Sequence, residues 1–389
     1  MSLPEAFTPA GLDLEKLDEG SLAMLLGRPL RTVPGLGTLL EQRLAGQRLL
    51  ITGAAGSIGT ALVARLCTIP TLELILLDHH EDSLFDLQQR LGHVQHRRTA
   101  VRYVLADVRS ERKIERLLRQ SRPDAILHLA ARKHVPLAEH EPDEAVSTNV
   151  LATVQLAQMA ADLDTGTFVF PSTDKAVNPP STYGMTKRLA EAALLALAAE
   201  VPMRIAVVRF VNVLGTQGSV LQTFARQIAA REPLTITDPQ MTRYWMTMNE
   251  AVALLLLALI HPPLHGLIAP DLGEPVPVVE IGRRLWRLAG RTGELPQRIT
   301  GPRPGEKPFE ELRYPFEAPV PVEWLSHDRP WVHRLVCAGA GLPWTRWAPQ
   351  LDELEVLVGD GAPALQERVA ALVSLANHSL APAQHVPAV

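Results

Sequence analysis

From Arg48 onward, short apolar runs that suit strands alternate with stretches whose apolar residues recur at helical spacing. Residues 49–52 predict a strand, 58–66 a helix, 72–77 a strand and 83–91 a helix. The alternation continues with a strand at 101–105, a helix at 111–120 and a strand at 125–129. It ends with a helix at 145–161, a strand at 167–170, a helix at 183–199 and a strand at 204–209. The strand runs are apolar almost throughout rather than at alternate positions, the pattern of strands covered on both faces. The predicted fold is therefore α/β: a doubly wound parallel (Rossmann) sheet with a smaller C-terminal substrate lobe.

The rest of the chain divides by composition. Residues 1–46 mix Pro, Gly and acidic residues with short apolar clusters such as 22–26, and read as an N-terminal arm. The Rossmann unit takes 47–217 and 241–265. The substrate lobe takes 218–240 and 266–345, where Pro, Gly and aromatic residues break the rhythm. Residues 346–389 read as C-terminal helices and a tail; 353–376, rich in Leu and Ala, predicts the helices, and the end from Ala381 predicts fraying. There is no internal repeat.

Composition narrows the class. The chain has 389 residues, 47% of them hydrophobic, enough for one large core with a subordinate lobe or for two domains. A formal net charge of −4 offers no basic field for nucleic acid. Cys67 and Cys337, without C-x-x-C spacing, fit a reducing compartment and argue against a structural metal. His79, His80, His134 and His140 lack metal-ligand spacing with acidic or thiol partners and read as surface or packing residues. The first residues lack the basic and apolar regions of a secretory signal, and the longest apolar run, 251–260, is too short to span a bilayer. The expectation is a cytoplasmic protein with no membrane insertion, no nucleic-acid partner and no metal.

Between the first strand and the first helix lies Gly53-Ala54-Ala55-Gly56-Ser57-Ile58-Gly59. Glycines there permit a tight turn, close approach of backbone to a pyrophosphate and close helix–strand contact, with the helix N-terminus facing the phosphates. Out of context the pattern is weak. Between a strand and a helix, with Asp78 ending the second strand, it predicts dinucleotide binding. A carboxylate there accepts hydrogen bonds from the adenosine ribose and repels a 2′-phosphate, so tightly bound NAD is expected rather than NADP. Asp78 also reads as a helix cap. Asp107, after the third strand, reads either as a contact to the adenine amino group or as a turn carboxylate.

Further along, Ser172-Thr173-Asp174-Lys175 precedes Tyr183 and Lys187. A Tyr and a Lys four apart on a helix share one face. There the ammonium can hold a phenolate and make the tyrosine a base near neutral pH. Downstream of a nucleotide loop, this suggests a nicotinamide enzyme with extra acid–base groups beside its hydride-transfer site. An adjacent Asp and Lys are otherwise an ordinary solvated loop.

Together the Gly53/Gly56/Gly59 spacing, residues 107–109, 128–136, 148–150 and 172–179, and Tyr183 with Lys187 resemble an extended short-chain dehydrogenase/reductase. More narrowly they resemble the polysaccharide-biosynthesis branch, the UDP-N-acetylglucosamine 4,6-dehydratases. The likeness continues through 209–215, 241–247, 271–275 and 303–307 and covers roughly residues 20–360. It departs where many long relatives carry transmembrane helices ahead of this domain and often Met at the position of Tyr183. It departs again at Val211, where relatives often have Gly.

The resemblance implies an NAD-dependent lyase that oxidises C4 of a UDP-linked sugar, eliminates water across C5 and C6 and returns hydride to C6. Tyr183 would be the base at the C4 hydroxyl, Thr173 would bond the sugar O4, and Lys187 would lower the tyrosine pKa and hold the nicotinamide ribose. Lys175 would take the C5 proton and Asp174 would protonate the leaving C6 hydroxyl. The cofactor would rest on Gly53, Ala55, Gly56, Ser57, Ile58, Gly59, Asp78, Asp107, Val108, Ala130, Ala131, Lys133, Asn149, Tyr183 and Lys187. The nucleotide sugar would meet Lys133, Asn212, Ser219, Val220, Thr235, Arg243, Arg303 and Glu306, the two arginines offering forked donors to phosphate. Helices 145–161 and 183–199 would expose apolar faces that pair across a homodimer or higher homo-oligomer. A nucleotide-sugar 4-epimerase or ketoreductase would use Tyr183 without the Asp174/Lys175 pair. A non-catalytic nucleotide-sugar binding protein is the third reading, against which the intact Tyr183 and Lys187 count.

Overall fold

The apolar runs pair side by side into one nine-stranded sheet. A computed structural model describes residues 7–8, 11–12, 17–70, 72–92, 99–302, 305–322, 331–359 and 364–381. In chain order the strands are β1 (Arg48–Thr52), β2 (Glu73–Asp78), β3 (Ala100–Leu105), β4 (Ala125–His128) and β5 (Thr167–Thr173). They continue with β6 (Arg204–Phe210), β7 (Gly266–Pro270), β8 (Glu317–Pro321) and β9 (Val332–Cys337). Across the sheet they run β8-β9-β7-β6-β5-β4-β1-β2-β3. All neighbours from β3 to β7 are parallel, while β9 pairs antiparallel with β7 and β8 with β9. The chain moves outward from β1 to β3 and then returns to β4, so a crevice opens at the strand ends where the order reverses.

Alternate residues of each central strand enter opposite cores. Leu49, Ile51, Leu74, Leu76, Leu127, Val169 and Val208 face one side with helices Ser57–Leu66 and Met248–Ile260. Leu50, Ile75, Leu77, Ile126, Phe168, Phe170 and Val207 face the other, with helices Glu111–Ser121, Ala152–Asp162 and Thr182–Ala198. Burial on both faces explains why the central strands read as apolar almost throughout.

Three expectations change. The sheet takes in β7, β8 and β9, which the compositional division assigned to the second lobe. Pro319 and Pro321 lie in the exposed edge strand and the polar His333 and Arg334 in the partly exposed strand beside it, where exposure relaxes the apolar pattern. The arm is more structured than its composition suggests. Its helix Glu19–Leu26, capped by Asp18, buries Leu25 and Leu26 in the second-lobe core beside Phe224 and Ile281, and helix Leu36–Leu44 packs on the first core. Residues 1–6, 9–10 and 13–16 of the arm and 382–389 of the tail lie outside the described residues.

The third change concerns the two helix faces expected to be exposed. The stretch 145–161 forms helix Pro142–Val146, a π turn at Ser147–Leu151 and helix Ala152–Asp162. Its apolar side, with Leu189, Ala192, Ala193 and Ala196 of the next long helix, is not exposed. Helices Trp344–Gly359 and Leu365–Leu380 of the same chain cover it, burying Trp347, Leu354, Val369 and Leu372 against Val146, Val150 and Val154. The apolar periodicity that suggested a subunit contact is satisfied within the chain.

Candidate active site

The loop after β1 turns sharply at Gly53, whose φ of 65° suits glycine. A Cβ at Gly53 would lie 2.7 Å from the Ala130 nitrogen, and one at Gly59 would overlap the carbonyls of Gly53 and Ala54. Both positions need glycine for the helix Ser57–Leu66 to start against the strand ends. Asp78 closes the loop from β2: Oδ2 accepts from the Ala55 N–H at 3.0 Å and Oδ1 from the His80 N–H at 3.1 Å. It is not the cap of the next helix, because the His80 ring nitrogen accepts from Ser83 N–H at that terminus.

A cavity of about 770 Å³ opens over this loop. Gly53, Ala55, Gly56, Ser57, Ile58, Gly59, Asp78, Asp107, Val108, Ala130, Ala131 and Lys133 all line it, as do His79, His80 and His134. The carboxyl of Asp107 is held below the usual range by Arg109, which hydrogen-bonds it at 2.7 Å and also pairs with Glu144. Lys133 donates to the Gln217 carbonyl at 2.9 Å, and burial lowers its pKa. Asn149 stands behind the wall, fully buried on the π turn. Its Oδ1 accepts from Arg132 N–H at 2.8 Å, and its Nδ2 donates to the Arg132 carbonyl and to Thr186. It bolts the 130–133 loop to the Tyr183 helix. A π turn inside a helix is a frequent mark of a functional position.

The acid–base groups sit where β5 ends. Thr173 is its last residue, Asp174–Ala176 form a 3₁₀ turn, and Ser181 caps helix Thr182–Ala198. Gly184 lets that helix press on the turn, since a Cβ there would overlap the Lys175 carbonyl. Asp174 is fully buried. Its Oδ1 accepts from Thr173 Oγ1 at 2.9 Å and from Lys175 Nζ at 2.9 Å, while Oδ2 has no partner. Tyr183 is half-buried beside them.

The electrostatics differ from the sequence expectation. Burial raises the Tyr183 pKa, and the charge that opposes this comes from Lys175, helped by a hydrogen bond with Thr173. Lys187 instead lies over the Phe170 ring, 3.7 Å from its centroid, and burial lowers its pKa to about 7. Burial is also the largest influence on Lys175 and acts downward, but Asp174 and Glu310 outweigh it and the net shift is upward. Its resting form is therefore the ammonium. Desolvation penalises charge only until a close opposite charge compensates, which Lys175 has and Lys187 largely lacks. The buried His128, between Thr52 and Thr153, is held neutral with a pKa lowered to about 3 by burial and by Lys187.

Glu310 is a candidate site residue that the sequence reading missed. Its Oε1 lies 3.7 Å from Lys175 Nζ and 3.7 Å from Arg243 Nε; its Oε2 is buried without a partner. In sequence it is one of several acidic residues in a Pro-containing loop, and only folding places it here. The same loop is pinned by Lys307, which donates to the Val177 carbonyl, and by Arg243.

Arg243 thus meets carbonyls: it donates to Thr242 O at 2.7 Å, Lys307 O at 2.9 Å and Pro308 O at 3.3 Å. Asn212 donates to the Tyr244 carbonyl at 3.2 Å, and Thr235 exchanges hydrogen bonds with Gln227. Ser219 precedes helix Val220–Ala230, its hydroxyl buried without a partner, and Val220 opens that helix. Glu306 is half-buried, and Val211 is packed into the first core. Arg303 lies outside the described residues.

Behind the Asp174–Ala176 turn, Arg209 forms forked pairs with Glu191 and Glu317, and Arg188 adds a bond to Glu191 at 3.0 Å. All four side chains are fully buried. Such a network adds little net stability, but removing one member costs about 3–5 kcal/mol because the others are left unpaired. Among the described residues no cluster of His, Cys, Asp or Glu could hold a metal ion, and no helix is long and apolar enough to cross a membrane.

Residues 49–322 match the family described as "Polysaccharide biosynthesis protein". A probable polysaccharide biosynthesis protein of Bacillus subtilis, EpsC, is 40% identical over 274 residues, 70% of this chain and 46% of that protein. The chain thus spans about half the length of this relative. A UDP-glucose 4-epimerase of Rickettsia felis is 31% identical over 272 residues, 68% of this chain and 76% of its own. In structure, the chain resembles DesIV, a dTDP-glucose 4,6-dehydratase from Streptomyces venezuelae solved with NAD and TYD bound, at a TM-score of 0.59. That likeness, at 24% identity over 68% of this chain and 88% of the other, concerns the fold. A glycine cradle at a sheet's switch point, with a Tyr-x-x-x-Lys helix beyond it, accords with the family match: the chain belongs to the polysaccharide biosynthesis protein family of extended short-chain dehydrogenase/reductases.

Proposed function

We propose that the chain is an NAD-dependent nucleotide-sugar 4,6-dehydratase acting on UDP-N-acetylglucosamine. The observation that carries this reading is the hydrogen bond from Lys175 Nζ to Oδ1 of the fully buried Asp174, 2.9 Å long, beside Thr173 and Tyr183. An epimerase or ketoreductase needs a proton acceptor at C4 and no second acid–base pair. Fully burying the Asp174 carboxyl beside a lysine is costly, so its presence here favours a reaction with a second proton transfer.

The cavity residues fit a dinucleotide. The glycine turn admits a pyrophosphate at the N-terminus of helix Ser57–Leu66, and Asp78 faces the same cavity. In NAD the nicotinamide ring would supply a reversible hydride acceptor.

Thr173 and Tyr183 would hold the C4 hydroxyl and take its proton. Oxidation at C4 acidifies the C5 proton. Moving one proton along the Lys175–Asp174 bond turns ammonium and carboxylate into amine and carboxylic acid, the two forms that elimination requires. Lys175 then takes the C5 proton and Asp174 gives its proton to the departing C6 oxygen. The pair ends as the ion pair from which it began, and water is lost.

Lys133, Asn212, Ser219, Val220, Thr235, Glu306 and Arg303 are proposed for the nucleotide half. Arg243, whose donors already meet carbonyls, would build the wall that carries Glu310 as well as face the diphosphate. The test is to incubate the purified protein with a panel of nucleotide sugars in heavy water and weigh the products. Loss of one water with deuterium at C5 is expected. An epimerised sugar of unchanged mass would replace this reading with the epimerase.

A further inference from the structure

Lys175 is hydrogen-bonded to Asp174 on one side and faces Glu310 on the other, 3.7 Å away. The two carboxyls share a feature: each turns one oxygen to the lysine and keeps the other buried without a partner. In Glu310 the oxygen near the cations is Oε1, close to Lys175 and Arg243, and the free one is Oε2. The lone oxygen is where a proton can reside without disturbing either contact. The charged groups around Glu310 are Asp174 and Lys175 from the catalytic turn, Arg243 from strand Thr242–Arg243, and Lys307 from its own loop.

We infer that Glu310 is a positioning residue that sets the protonation state of Lys175: ionised, it holds the ammonium; protonated, it lets Lys175 pass its proton to Asp174. This rests on the dehydratase reading. In that transfer one N–H bond breaks and one O–H bond forms within the Lys175–Asp174 pair, and no other reactant is needed. A negative charge 3.7 Å from Nζ stabilises the ammonium and opposes the step. A neutral carboxylic acid does not. Burial and the Asp174 charge both push the Glu310 pKa upward, which favours the neutral form, while Lys175, Arg243 and Lys307 pull it down.

The sign follows. Elimination falls as pH rises through the Glu310 titration, because the ionised carboxylate locks Lys175 as ammonium. The test uses the full chain with UDP-N-acetylglucosamine in heavy water, reading C5 deuterium, water loss and the absorbance of transiently reduced nicotinamide across pH. Wild type should show an alkaline fall in the ratio of elimination to C4 oxidation, about tenfold per pH unit beyond the midpoint for a one-proton step. Glu310→Gln should remove that fall and exceed wild type by roughly tenfold one unit beyond the wild-type midpoint. Glu310→Asp should restore the fall at a displaced midpoint.

A Glu310→Gln profile that keeps the wild-type fall overturns the proposal, as does a wild type without one. Equal slowing of C4 oxidation and elimination at every pH would make Glu310 part of the wall only. The wild-type and Glu310→Asp profiles decide the matter even where Glu310→Gln does not fold. Wild type that eliminates no water from any nucleotide sugar ends the dehydratase reading and this proposal together, whereas elimination with an unaltered profile ends this proposal alone.

Discussion

The hydroxyl of Tyr314 accepts the backbone N–H of Asn178 at 2.9 Å, tying the segment after β7 to the far side of the Asp174–Ala176 turn. The same hydroxyl donates to the Ala176 carbonyl at 3.3 Å and accepts from Asn377 of the last helix at 3.2 Å. Its ring lies under the Arg188 guanidinium, 4.6 Å from centroid to carbon. A single phenol therefore couples the C-terminal helix, the buried arginine network and the Asp174–Ala176 turn.

Tyr314→Phe keeps the ring and removes all three bonds. Leaving a buried N–H without its acceptor costs about 1–3 kcal/mol. Denaturant unfolding should show that loss, with a lower turnover and a less affected KM. Unchanged stability and turnover would mean that the turn holds its shape without the tether.

Asp174→Asn and Lys175→Ala should each slow elimination on the order of 10²–10⁴-fold, the usual range for a general acid or base. Both variants should still retain nucleotide, since neither side chain belongs to the Gly53–Gly59 loop. Product mass and cofactor content decide this, and undiminished water loss in both would place the elimination elsewhere.

The Lys187 ammonium is disfavoured in the fold, where its pKa is about 7 against 10.5 for an ordinary lysine. Between those values the unfolded chain binds the extra proton and the folded one does not. This group's contribution to stability therefore rises with pH from about 7 toward 10.5 and is flat below 7. Lys187→Met should flatten that rise in unfolding free energy measured across the window. A slope identical to wild type would assign the pH dependence to other groups.

Gly59→Ala would set a methyl against the carbonyls of Gly53 and Ala54. The expected outcome is a folded protein that loses its dinucleotide on purification. Heating wild type and weighing what is released should yield NAD; NADP alone would contradict the argument from Asp78.

Leu372 is fully buried between the C-terminal helices and the helix pair that carries Tyr183 and Asn149. Leu372→Asp should undock those helices, lower stability by at least about 2 kcal/mol and expose an apolar face. Light scattering should then show association that rises with concentration beyond that of wild type. A variant that stays at the wild-type mass would mean that the uncovered face does not attract a second copy.

Much was legible in the chain itself. Short apolar runs at 49–51, 74–77 and 205–208, alternating with stretches of helical periodicity, pointed to a parallel sheet buried on both faces. The glycines at 53 and 59 were equally explicit, since their lack of a Cβ has meaning wherever a strand meets a helix. Thr173, Asp174, Lys175 and Tyr183 lie close enough along the chain for local geometry to bring them together. What the tertiary structure alone decided depends on distant partners. Glu310 reaches Lys175 across more than a hundred residues, and nothing in its neighbourhood distinguishes it from a solvated glutamate. The pKa shifts of Lys175 and Lys187 run in opposite directions because Asp174 and Glu310 outweigh burial at the first, whereas burial outweighs Glu191 at the second, a difference that spacing cannot encode. An apolar helix face reads identically whether a second subunit or the chain's own last helices cover it. Periodicity specifies that a surface must be buried, and only the folded chain specifies against what.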